Sequence, residues 1–183
     1  LLALYREKCL LDSAAGVLGW DERTYMPAKG SEFRADQMAL LAKLSHEKLT
    51  SPRIGELLAG IQTDDADQKV NVREIRRVYD RAVKMPARLV EEIARVTTRA
   101  QNVWQEAKGK NDFPAFAPWL EKIVALKREE AAAVGYKESP YDALLDEYEP
   151  GATAKSVTKV FADLRAELVP LVAEVTASKR KPR

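Results

Sequence analysis

Between Pro86 and Gly109 the apolar residues Leu89, Ile93, Val96, Ala100 and Val103 follow one another at steps of four, three, four and three. At 3.6 residues per turn these steps make one continuous stripe, whereas on a strand they would scatter over both faces. A stripe of this length commits the segment to an amphipathic helix that another element must cover. The same periodicity runs along nearly the whole chain, and no stretch alternates apolar and polar residues as a half-buried strand does. The fold class this implies is all-α: antiparallel helices joined by short loops.

Proline, glycine and capping residues divide the helices. The first carries Leu4, Cys9, Leu11, Val17 and Leu18 and runs to about Gly19. The stretch "WDERTYMPAKG" then breaks the pattern with Pro27 and Gly30. Ser31 is the expected cap of a second helix, with Phe33, Met38, Leu41 and Leu44 on its apolar side and "TSP" at 50–52 as its end. A short helix over 53–61 follows. Asp64 is the expected cap of a helix to Lys84, with Asp67 in its first turn complementing the dipole. Pro86 ends that helix at Met85 and suits the first position of the striped one, which Gly109 stops. Asp112 opens a helix through Ala133, its core face carrying Phe116, Trp119, Leu120, Ile123 and Val124, and Gly135 closes it. Ser139 and Pro140 begin a short helix that Pro150-Gly151 stops. Thr153 opens the last, with the stripe Val157, Val160, Phe161, Leu164, Leu168, Leu171, Val172 and Val175; Pro170 should bend or split it. Without a repeat of fixed period or a low-complexity linker, residues 1–183 read as a single all-helical segment.

A net charge of +2 gives no global basic field for nucleic acid. With 46% hydrophobic and 32% charged residues the composition is that of a folded helical protein. One cysteine, Cys9, cannot form an internal disulfide, so a reducing cytoplasm is the expected compartment. No apolar run approaches the roughly 20 residues that span a bilayer, so no membrane partner is expected. The opening "LLALYREKCLL" is interrupted by charge, unlike a signal-peptide core. It also lacks Met and lies inside a helical pattern, as expected of a piece of a longer protein.

Few residues suggest chemistry. "SHEKLT" begins as a zinc-peptidase helix does, with His46 followed by Glu47. Two imidazoles sharing a helix face must be four residues apart, and the fourth position here is Thr50. His46 is the only histidine of the chain, and reads as a surface residue at a helix end. Arg73, Arg76, Arg77, Arg81 and Lys84 share one helix side opposite Ile75, Val78, Tyr79, Ala82 and Val83. Because Tyr79 belongs to the apolar side, the basic stripe reads as a solvated face rather than a nucleic-acid surface. The terminal "KRKPR" reads as a short frayed end. Glu91-Glu92, Glu129-Glu130 and Asp146-Glu147 are adjacent pairs pointing about 100° apart on a helix, which is no catalytic dyad. Nucleophile elbows and phosphate loops are missing, and Cys9 among Leu10 and Leu11 reads as core. Trp20, Tyr25 and Met26, with Asp21 and Arg23 among them, read as an aromatic anchor of the first hairpin, with the lining of a cleft as the functional alternative.

Three blocks go further by resemblance. "LGWDERTYMPAKGSEFRADQMALLAKLSHEKLTSPRIGELL", "NDFPAFAPWLEKIVALKREEA" and "GYKESPYDALLDEYEPGAT" resemble, in this order, the N-terminal region of the carboxypeptidase Taq family of thermostable zinc carboxypeptidases. The third, with Tyr141, Leu144, Leu145, Asp146, Tyr148, Glu149, Pro150 and Gly151, is the most specific. Ala28-Lys29 departs from the family loop, which often has Pro and Gly. The resemblance implies part of a larger helical zinc-peptidase fold that releases C-terminal amino acids from peptides. It implies zinc in the parent enzyme, on a His-Glu-x-x-His helix outside these residues. Hence no catalytic or metal residue transfers to this chain, its substrate-binding residues are left unknown, and no cofactor is expected in it. The implied role is a cleft wall or cover, inactive alone, with peptide substrates reached through the full-length enzyme and a homodimer as a family expectation. The alternatives are a free-standing helical interaction module and a nucleic-acid binder using Arg73 to Lys84. Apolar stripes left without partners are expected to expose a hydrophobic patch or drive self-association.

Overall fold

The computed structural model describes residues 1–178; the basic run at 179–183 lies outside them. The described residues contain eight α-helices and no strand. They are α1 (Leu2–Thr24), α2 (Ser31–Leu49), α3 (Pro52–Gly60), α4 (Ala66–Ala82), α5 (Ala87–Lys110), α6 (Phe113–Val134), α7 (Pro140–Leu145) and α8 (Ala154–Ala177), with a 3-10 turn at Ala28–Gly30. The chain divides into two compact units, Leu1–Val134 and Gly135–Arg183.

In the first unit, polar pairs fix the register of the helices. Across α1 and α2, Lys48 meets Glu7 at 2.6 Å, Ser45 donates to Asp12 at 2.5 Å and Arg34 meets Asp21 at 2.5 Å. Numbers fall on one helix as they rise on the other, so the two run antiparallel. Across α2 and α5 the pairs Glu32–Arg99 and Asp36–Arg95 show the same order. Arg88 with Glu129 ties the start of α5 to the end of α6.

The buried side of α2 is Arg34, Ala35, Ala39, Ser45 and Leu49. This corrects the expected face: Phe33 is 70% exposed and Leu44 is exposed as well, while Met38 and Leu41 are half-buried. Ala35 and Ala39 bring no bulk, so α5 can approach closely with its own Ala100 and Ala107 buried. The α5 stripe holds, with Leu89, Val96 and Ala100 buried and Ile93 and Val103 half-buried. A further cluster joins α3 and α4 through Ile54, Leu58 and Ile75, with Leu1, Leu4, Tyr5, Val72 and Tyr79 packed around it. Gly55 sits against Tyr79, whose ring carbon Cζ would lie 3.1 Å from an added Cβ.

Several boundaries move. α1 continues past Gly19 through Trp20 to Thr24 because nothing before Pro27 removes a helical donor. Gly30, not Ser31, stands before α2. Asp65, one residue after the expected cap, accepts from Gln68 N at 2.8 Å. Pro86 caps α5 from outside rather than occupying its first turn. Gly109 stays helical, and Asn111 ends α5 in the left-handed region at φ 52°, where a short amide side chain is tolerated. Cys9 is exposed, as are Leu120 and Val124, contrary to their expected core placement. In α6 the buried residues are Glu130 and Ala131.

In the second unit, Ser139 accepts from Tyr141 N and Thr153 from Ser156 N, and both helices start where expected. Asp142 accepts from Ala154 N at 2.7 Å, which joins α7 to the start of α8. Asp146 accepts from Gly151 N at 3.0 Å, and Gly151 has φ +81°, a turn that a side chain would strain. α8 runs through Pro170 as one helix with no buried residue.

Candidate functional site

The polar side chains of the first unit concentrate where α1 ends, the 3-10 turn passes and α2 begins against α5. Arg34, held on α2 beside Ala35, is buried. Its guanidinium donates to the Leu18 carbonyl and to Asp21, and its Nε donates to Gln37 at 3.1 Å. Asn102 on α5 donates to Ser31 Oγ at 2.9 Å and to Glu22 Oε1 at 3.2 Å. Burial pushes the Glu22 carboxyl above its ordinary range, against the opposing pull of Asn102, Arg34 and Arg23. Next to this corner a cleft of about 250 Å³ is lined in part by Ser31, Glu32, Arg99, Asn102, Lys110 and Trp119. The cleft carries charges of both signs and one indole, and it has no nucleophile matched to a base.

"SHEKLT" closes a helix and builds no metal ligand set. Thr50 Oγ1 donates to the His46 carbonyl at 2.8 Å, one turn back. The imidazole is half-buried and hydrogen-bonded to the backbone at Met85; desolvation holds its pKa below the ordinary value in spite of that bond and of Glu47. Cys9 stays on the exposed side of α1.

Much of the basic stripe of α4 serves neighbouring helix ends. Arg76 donates to the Leu58 carbonyl near the end of α3, and Lys84 donates to the Val134 carbonyl at the end of α6 at 3.1 Å. Cations there complement both the dipole and the orphan carbonyls. Arg81 meets Glu130 at 2.8 Å, and Lys127 joins the same carboxylate at 2.7 Å. The stripe keeps an exposed face, as expected, while some of its side chains also reach the ends of α3 and α6. Arg73, paired with Glu74 at 2.7 Å, is exposed, as are Arg76 and Lys84, whereas Arg77 and Arg81 are half-buried.

The carboxylate pairs also diverge. Glu129 turns to Arg88 and Glu130 to Arg81, while Glu91 meets Arg95 at 3.1 Å. Trp20 and Tyr25 contact each other edge-on at 5.5 Å but remain exposed. The first hairpin is thus anchored by Arg34 and Asp21 rather than by aromatics. Of that stretch, Ala28 does line the cleft. Sequence reading missed Arg34, Asn102 and Arg99, since one charged or amide residue on a helix carries no signal of what it faces.

Thermostable carboxypeptidase 1 of Thermus thermophilus is 39% identical over 197 residues, a match taking in 100% of this chain and 39% of that protein. The solved structure of BsuCP matches with a TM-score of 0.90 at 35% identity, covering 99% of this chain and 37% of that one. That of a Pyrococcus furiosus carboxypeptidase matches with a TM-score of 0.81 at 37% identity, covering 100% of this chain and 37% of that one. The chain spans less than two-fifths of the length of these relatives. A metallopeptidase centre needs several ligands converging on one ion. With one histidine in the sequence, and among the described residues no group of three or more His, Cys, Asp or Glu able to hold an ion, the side chains here do not fit such a centre. The family model matches residues 1–183, and the chain belongs to the carboxypeptidase Taq (M32) metallopeptidases.

Proposed function

We propose that this chain is the N-terminal helical region of a cytoplasmic zinc metallocarboxypeptidase, that it forms part of the wall or cover of the peptide cleft, and that alone it hydrolyses nothing. The observation that carries this reading is the family match along all 183 residues combined with 39% coverage of the Thermus relative. Zinc, its activated water and the general base would then belong to polypeptide of the remaining family length. The contribution of this region is positional: the polar cleft beside Arg99 and Trp119 lies along a substrate and limits the water that reaches it.

Incubating the purified chain with an unblocked peptide, with and without added zinc, tests the inactivity. The expected mass spectrum shows intact peptide, and stepwise loss of C-terminal residues overturns the proposal. For the wall, Trp119→Ala in the longer enzyme should raise KM with little change in kcat, removing binding common to ground and transition states. An unchanged KM contradicts that assignment.

A further inference from the structure

We draw no further inference here: the strongest candidate, the cleft of Ser31, Arg99, Lys110 and Trp119 between α2, α5 and α6, belongs to the site already described, and its lining charges of both signs favour no one class of ligand.

Discussion

Gly55 shows how a single hydrogen atom decides packing. An added Cβ would meet the Tyr79 hydroxyl well inside van der Waals contact, beside the buried Ile54 and Leu58. Gly55→Ala gains helix propensity, about 1 kcal/mol, but loses roughly 2–3 kcal/mol to overpacking. The expected net loss, about 1–2 kcal/mol in urea unfolding, should shrink when Tyr79→Phe removes the oxygen. Glu22 and His46 make stability depend on pH in opposite senses. The folded pKa of Glu22 is raised, so its contribution is present below its ordinary value of 4.5 and is lost as pH rises through the folded value. Glu22→Gln should therefore stabilise at neutral pH by roughly 0.5 kcal/mol after solvent screening, and the gain should vanish in acid. The folded pKa of His46 is lowered, so its contribution is present above 6.5 and is lost as pH falls through the folded value. His46→Gln should flatten unfolding curves over that interval, and an unchanged pH profile contradicts the assignment.

At the scale of elements, Arg34 joins α1 to α2 through the Leu18 carbonyl, Asp21 and Gln37. Arg34→Ala should cost about 2–3 kcal/mol, since it leaves a carboxylate and a half-buried amide short of a charged donor. Arg34→Lys should recover less than half, because an ammonium cannot reproduce the planar fork. The element boundaries were legible where a local signal is self-contained: Ser139 and Thr153 cap with their own side chains, and Gly135 takes φ +87°. They shifted where two residues offered the same chemistry, as with Asp64 and Asp65. The helix ended at Asn111 instead of Gly109, since α5 kept its hydrogen bonds for a further residue. The α2 face was misread because, Leu49 apart, the residues it buries are small or polar, and a pattern of large apolar residues passes over them.

At the scale of the whole molecule, the all-α class followed from periodicity, and the family followed from blocks such as "SPYDALLDEYEPGAT". The polar corner of Arg34, Glu22 and Asn102 was not legible, since it exists only once α1, α2 and α5 meet. Nor does a stripe on α8 say whether anything covers it; its residues from Val160 to Val175 stand exposed. The decisive scarcity was legible throughout: the sequence holds one imidazole and one thiol. On the proposed function, the ligands of the catalytic metal lie in other polypeptide. Native mass spectrometry of the chain after equilibration with zinc and removal of the excess decides this. The expected spectrum holds the apo mass alone, and one ion retained by each folded chain overturns the proposal.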